Sequence, residues 1–439
     1  MAASMPKIWL LNLDELVPKE DLLYESFYVP VMVRKNLIRY LICLEPGDYF
    51  ISAGNVCTDF ARYIACLKGL DTGLEWLITL DRVSSPYSLA GSIPENESVM
   101  EKLMSLGRNG NMTFEPYLET AEILKLSRLT GIPAGRTPAT LVLTGLIKQL
   151  NHKGYFEEIA LMAGAEIPDG IYADSDEKIT EAILEMKNRG YGMLMLKKAE
   201  YAGGAGNLSG SPDDLLQALP AWYNGGGLKI EEFLNLETTI GSLALLRDDD
   251  FVYMGDDEQI FDKGLWSGFH YPCKDRHISS QIKDLTMKFA EIIHKMGARG
   301  YLNMDWGIVN RDGKKQIIAI EINFRHNGLS CMVELASGLP GGITEKTNLL
   351  YYGKFSLPAE MTEFKDLTDI LREIRYDGNS LLIEKPDKNK GVIISTPILE
   401  GKAGLLIVGD SPEYTQNVKK LLNRHLYPEE QDSQAFVER

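Results

Sequence analysis

The sequence predicts an α/β protein, and three observations carry that expectation. Short apolar runs alternate with helical patterns through residues 5–118, as in an open α/β sheet. A strand at residues 193–198 runs straight into a glycine-rich loop. Two alternating apolar runs flank Asn310-Arg311-Asp312-Gly313 and predict a β-hairpin over residues 303–325.

In order along the chain, residues 7–11, 40–44 and 76–80 read as buried strands. Residues 58–67 read as a helix that Gly69 ends. The polar, Gly/Asn-rich run at 105–115 marks a loop or boundary. Residues 119–190 turn mostly helical. Tyr155, Phe156, Ile159, Ala160 and Ala163 repeat with the period of one helix face, and Gly164 and Pro168 stop that helix. A second amphipathic helix covers 177–189. Residues 193–198 and 228–234 read as strands, the latter preceded by three glycines. Ile278, Ile282, Leu285, Phe289, Ile292, Ile293 and Met296 form one stripe of a long helix, which means core packing. Beyond residue 350, strands at 380–383, 391–395 and 404–408 and a helix at 414–425 predict a small α/β appendage. Residues 428–439 read as a frayed polar tail.

The chain has 439 residues, a length that suggests about three domains. The 46 Lys and Arg against 62 Asp and Glu leave a formal charge of −16. That balance speaks against nucleic acid and anionic membrane as partners, which need basic patches. It leaves room for an anionic ligand in a local cradle. No apolar run approaches the roughly 20 residues that span a bilayer. Five dispersed cysteines without a C-x-x-C pair read as free thiols in a reducing compartment, so the expected location is cytoplasmic. His270, Cys273 and His277 lie close together but lack a second ligand pair at a zinc spacing.

Residues 197–207 read KKAEYAGGAGN. Gly203, Gly204 and Gly206 allow backbone amides to turn toward one point, and Lys197 and Lys198 add charge at the loop entrance, which suits phosphate oxygens. The spacing is that of neither a Walker A loop nor a dinucleotide fingerprint. Strand alternation sends Lys197 and Lys198 to opposite faces, Lys197 with Met193 and Met195. In the hairpin, a three-residue loop that pairs Asn310 with Lys314 puts Asp305, Glu321, Asn323 and Arg325 on one face. Met304, Trp306, Ile308, Ile318, Ile320 and Ile322 then fill the other, a clean segregation that favours this register. Asp305, Glu321 and Asn323 offer hard oxygen ligands suited to Mg²⁺, and Arg325 can hold an anionic oxygen pair.

Cradle, lysine pair, the strand KIEEFLN and the D…E-x-N hairpin occur in an order that resembles the ATP-grasp superfamily of carboxylate–amine ligases. The resemblance covers roughly residues 120–345. GGAGN, DEQIFDKGLWSGFHYP and EINFRHNG look most like peptide ligases of the pheganomycin type. The resemblance implies an N-terminal pre-ATP-grasp α/β domain (1–118) and a nucleotide-binding lobe with its glycine-rich lid loop (119–234). It further implies a metal and catalytic lobe (235–350) and a small C-terminal α/β unit and tail (351–439). It implies an enzyme that joins a small-molecule or peptide carboxylate to an amine through an acyl phosphate, releasing ADP and phosphate. ATP and Mg²⁺, with Mn²⁺ as a substitute, are the implied cofactors. Dimers are common in that superfamily, so a homodimer is the expected assembly.

Residue by residue, the resemblance makes Lys153 and Lys197 the phosphate lysines, with Gly203, Gly204 and Gly206 in the lid. Glu231, Glu232, Phe233 and Leu234 read the adenine, and Glu237 meets the ribose. Asp305, Glu321 and Asn323 hold the metal, and Arg325 and Lys197 stabilise charge in transfer. His326 is the candidate base, ahead of His270. Gln259, Trp266, Ser267, Gly268, His270, Arg325, Asn327 and Gly328 border the acceptor pocket. An ATP-grasp enzyme with a non-amine nucleophile, and a catalytically silent nucleotide-binding regulator, stay open as alternatives.

Overall fold

The computed structural model describes residues 5–16, 37–80, 88–201, 206–311 and 313–427. The first sheet is parallel, in the order β3-β2-β1-β4. Its strands are β1 (Lys7–Leu10), β2 (Tyr49–Ser52), β3 (Leu77–Thr79) and β4 (Thr113–Pro116). The crossover helix Thr58–Lys68 ends where Gly69 takes a left-handed φ of 66°. Of residues 40–44, expected as a strand, 40–43 belong instead to a 3-10 helix, Ile38–Cys43. Its apolar side chains are buried nearly all round. A short run buried on every side carries no period, so burial alone does not tell strand from helix there.

The second sheet, antiparallel and ordered β5-β8-β6-β7, comprises β5 (Gly170–Ala173), β6 (Leu194–Lys198), β7 (Asn207–Gly210) and β8 (Leu228–Glu232). Helices Asp176–Asn188 and Pro212–Trp222 cover one face, where Ile179, Ile183, Met186 and Leu215 pack on Leu194, Leu196, Leu228 and Ile230. Side chains alternate along a strand, so Met195, Lys197 and Glu231 are turned to the other face.

That face looks across a cleft at the third sheet, ordered β13-β12-β9-β10-β11-β14-β18-β17. It holds β9 (Leu236–Leu246), β10 (Phe251–Asp262), β11 (Leu265–Tyr271), β12 (Gly300–Arg311), β13 (Lys314–Asn323) and β14 (Asn348–Ser356). After a two-residue pair, β15 (Arg375–Tyr376) with β16 (Asn379–Ser380), the chain adds β17 (Gly391–Ile394) and β18 (Lys402–Gly409). Residues 351–439, read from sequence as a C-terminal unit, thus feed β17 and β18 into this same sheet through β14. The helix Arg276–Lys295 covers its back. There Phe289 lies 5.8 Å edge-on from Trp306 and 6.4 Å from Phe156. Trp306 donates from Nε1 to Ser242 at 2.8 Å, so its one polar atom is satisfied inside the core.

Candidate active site

The hairpin of β12 and β13 differs from the sequence expectation in an instructive way. Arg311 pairs with Lys314, so two residues close it rather than three. A regular ladder would then set Asp305 opposite Ile320. Instead the register shifts by one between Asp305 and Trp306, a β-bulge that brings Asp305 opposite Glu321 and Asn303 opposite Asn323. The bulge restores the carboxylate pair by another route. It also turns Ile320, expected on the apolar face, into the cleft wall. Gly307 keeps that wall open: a Cβ there would sit 2.6 Å from Leu236 Cδ2 and 3.1 Å from Ile320 Cδ1.

The cleft between the two antiparallel sheets has a volume of about 510 Å³. Lys153, Lys197, Glu231, Glu232, Leu234, Gln259, Trp266, Asp305, Glu321, Asn323, Arg325, Asn327 and Gly328 all line it. Met195, Leu234, Leu236 and Ile320 give one end an apolar slot. At its centre, Lys153 Nζ lies 3.3 Å from Glu321 Oε2 and donates to the Tyr201 carbonyl at 2.7 Å. Lys197 pairs with Glu231, and both are buried. Lys198 points the other way, to Asn224 Oδ1 at 2.7 Å, with its Nζ 5.4 Å from the Trp222 ring. The expected opposition of the two lysines therefore holds, with Lys197 on the cleft side.

Asp305 accepts from Gln259 Nε2 at 2.6 Å and from Asn323 Nδ2 at 2.8 Å, and the same Asn323 nitrogen lies 3.2 Å from Glu321 Oε1. Burial and the facing Glu321 raise the Asp305 carboxyl above the usual range. Burial would raise Glu321 likewise, but Lys153, Lys197 and Arg325 together draw it below that range. Asp257, which sequence reasoning missed, adds a further buried carboxyl to the cleft. Burial and then the charge of Asp305 hold its pKa well above normal. Its Oδ1 accepts from Gly241 N at 2.9 Å.

These residues fit a hard divalent cation. Two carboxylates face each other across one strand pair, and crowding of their negative charge is what such an ion relieves. Among the described residues no cluster of three or more His, Cys, Asp or Glu is arranged for a metal. A cation here would therefore rest on Asp305, Glu321, the Asn323 amide oxygen and oxygens of its ligand. Asn323 presents nitrogen to both acids, so ligation calls for a half-turn of that amide, an orientation set by the surrounding hydrogen bonds.

Arg325 is buried, and its Nη1 donates to Asn151 Oδ1. Asn151 also brackets the neighbouring peptide, accepting from Phe324 N at 3.0 Å and donating to Phe324 O at 3.2 Å. Its place beside His152-Lys153 was the only sequence signal that could have found it. His326, expected as the base, does not line the cleft. Its ring packs on Trp9, Tyr40 and Tyr301, and its Nε2 meets Glu115 Oε1 at 2.9 Å. β13 ends at Asn323 and the chain bends at Arg325, whose N donates to Asn323 O at 3.0 Å. His326 N donates to Tyr117 O at 3.3 Å, so Arg325 faces the cleft and its neighbour packs against the first unit.

Several other expected residues also lie off the cleft lining. Glu237 accepts from Asn310 Nδ2 at 3.0 Å on the exposed side. Phe233 is 42% exposed. Ser267 and Gly268 sit in β11, an inner strand, where Ser267 donates to Ile260 O at 3.2 Å and a Cβ on Gly268 would meet Tyr351 O at 1.9 Å. His270, farther along β11, is neutralised by burial, its pKa pushed down to about 4. Gly206 has φ 81° and packs under the Tyr201 ring, while Gly203 and Gly204 lie outside the described residues.

Solved structures share this arrangement of sheets. The ADP complex of an N5-carboxyaminoimidazole ribonucleotide synthetase superposes with a TM-score of 0.59 at 11% identity, covering 98% of each chain. This chain has the ATP-grasp fold. Biotin carboxylase from Campylobacter jejuni, in a beta-gamma-ATP complex, superposes on this chain with a TM-score of 0.58 at 12% identity, covering 94% of this chain and 89% of that one. No protein-family model matches the sequence. An L-propargylglycine–L-glutamate ligase of Streptantibioticus cattleyicolor is 24% identical over 272 residues, 54% of this chain and 55% of that protein. This chain therefore spans about half the length of that curated relative. Among the described residues, no helix is long and apolar enough to cross a membrane.

Proposed function

We propose that this protein is an ATP-dependent carboxylate–amine ligase that works through an acyl phosphate. The observation that carries the reading is the convergence of Lys153 and Lys197, from the small sheet and its entry segment, on the Asp305–Glu321 pair of the large sheet. Two ammonium groups, two carboxylates and Arg325 in one buried cleft suit a magnesium-bound polyphosphate. When bound, the cation would neutralise phosphate charge between Asp305, Glu321 and Asn323.

The apolar slot of Met195, Leu234, Leu236 and Ile320 would take the base. Lys153 and Lys197 would hold phosphate oxygens, exchanging Glu321 and Glu231 for them. A substrate carboxylate oxygen attacks the terminal phosphorus, the bond to ADP breaks, and an acyl phosphate forms. An amine nitrogen then attacks the acyl carbon, loses a proton, and expels phosphate. Arg325, held by Asn151, would stabilise charge on the transferred group and on the tetrahedral oxygen. The likeness to a propargylglycine–glutamate ligase supports a C–N product.

The test is ADP release from Mg-ATP with pooled carboxylic acids and amines, followed by mass analysis. A new C–N bond with stoichiometric ADP and phosphate is the expected result. ADP release unaffected by any amine would reject the ligase reading.

A further inference from the structure

The far end of the cleft holds a cation that the chemistry above does not use. Arg39, from the 3-10 helix Ile38–Cys43, lines the cleft beside Trp266, Gly328 and Lys354. Its guanidinium carbon stands 5.5 Å from the Tyr40 ring and 5.9 Å from the Trp266 ring. Its Nε is buried without a hydrogen-bond partner. Among the described residues no carboxylate lies within ion-pair distance of Arg39 or of the exposed Lys354, whereas several other cations near the cleft have one. Lys7 and Arg136 share Glu115, Lys153 has Glu321, and Lys197 has Glu231. A buried guanidinium stacked on aromatic rings and left without an anion is costly unless a ligand supplies one.

A second feature points the same way. The helix Gly328–Gly338 begins at this end of the cleft, with Gly328 and Leu329 in the wall. Asn327 caps it through Ser330 N at 2.9 Å and is pinned by Tyr40 Oη, which donates to its carbonyl at 2.8 Å. The positive end of that helix adds to the field of Arg39. Gly328 has no room for a side chain, since a Cβ would meet Trp266 Cη2 at 2.4 Å. Trp266 thus brings the edge of its ring against the start of the helix.

We propose that Arg39, the start of the helix Gly328–Gly338 and Lys354 form a subsite for a carboxylate that the substrate keeps through the reaction. The substrate class is then an amino acid, a peptide terminus or a dicarboxylic acid. Trp266 and Tyr40 would hold the Arg39 fork in plane for bidentate contact. Arg39 would act as a specificity residue, remote from phosphoryl transfer at Lys153 and Glu321. The inference rests on the ligase reading but is separable from it by experiment.

Each amino acid and each C3–C6 dicarboxylate is offered to the full chain with Mg-ATP, and ADP release is measured. The best substrate is compared with its ester at the retained carboxylate. Arg39→Met should raise KM for the free acid about 30-fold or more, leave kcat and the KM for ATP within about 3-fold, and leave the ester unaffected. Arg39→Lys should recover part of the loss, and Lys354→Met should show a smaller rise in KM. Retained binding of a fluorescent ATP analogue confirms that the variants fold. An ester as good as the acid, or an unchanged KM in both variants, overturns the subsite. If no compound releases ADP, the ligase reading fails on its own, and calorimetry with glutarate and Mg-ADP tests the subsite directly. Glutarate binding that Arg39→Met weakens about 10-fold or more supports it. No binding, equal binding to the variant, or stronger binding of inorganic phosphate overturns it.

Discussion

Lys153 and Glu321 meet at 3.3 Å across the cleft, joining the entry segment of the small sheet to the hairpin of the large one. Burial lowers the Lys153 pKa, and Glu321 opposes that shift. Each group therefore holds the other ionised where neither would be comfortable alone.

Glu321→Gln should lower ADP release by about 100-fold or more, because it removes half of the cation site and frees Lys153. The fold should survive. Loss of the pair is offset by relief of repulsion with Asp305, and Lys153 keeps its bond to Tyr201 O. The Tm is expected within about 5 °C of wild type. Near-normal turnover in this variant would remove Glu321 from the metal set.

Asn151→Ala should act through Arg325. Removing the Oδ1 acceptor leaves the guanidinium without its anchor and frees the Phe324 peptide. A fall in kcat of about 10-fold or more, with the KM for ATP little changed, is the signature of a displaced transition-state group. A rise in the KM for ATP alone would assign Asn151 to nucleotide binding instead.

Glu115 ties Lys7, Arg136 and His326 together beneath the cleft. Burial would raise its pKa, but Arg136, His326 and Lys7 hold it well below the ordinary value of 4.5. A carboxyl depressed in the folded state stabilises above its unfolded pKa, and that contribution is lost as pH falls through the folded value. Glu115→Gln should therefore cost about 3–5 kcal/mol at pH 7. The gap to wild type should narrow as pH drops below about 4.5. Urea titrations at pH 7 and at about pH 3 compare the two. A gap that widens in acid would contradict the assignment.

Gly307→Ala should weaken nucleotide binding several-fold. Its Cβ would press on Leu236 and Ile320, whose flexible ends then move into the apolar slot. Displacement of a fluorescent ATP analogue measures this. Unaltered affinity would place the base elsewhere.

Thiol reagent should modify two of the five cysteines in the native protein. Cys57 and Cys66 are exposed, whereas Cys43, Cys273 and Cys331 are buried. Burial also raises the Cys43 and Cys273 thiols, which lowers their thiolate fraction. All five should react in denaturant. Fast labelling of Cys43 or Cys331 would argue against the packing of the first unit on the helix Gly328–Gly338, where their sulfurs lie 3.1 Å apart.

Much of this protein was legible in local pattern. Gly69 and Gly164 end helices because their left-handed φ values of 66° and 68° cost little without a side chain. Period-2 alternation sent Lys197 and Lys198 to opposite faces, and helical period placed Phe289 in the core. The pairing of Asp305 with Glu321 was anticipated only in outcome. The two-residue turn and the bulge that compensates for it depend on how β12 packs between β9 and β13, which no run of residues encodes locally. His326 was misjudged because adjacency in sequence says nothing of direction, and the bend after Asn323 turns it away from Arg325. Asp257, Asn151 and Arg39 carried no motif at all. They come from β10, from the turn before Lys153 and from the first unit, between about 16 and 230 residues from their partners in sequence. Only packing in or behind a common cleft, where each buried polar group must find a partner or a ligand, gives them meaning.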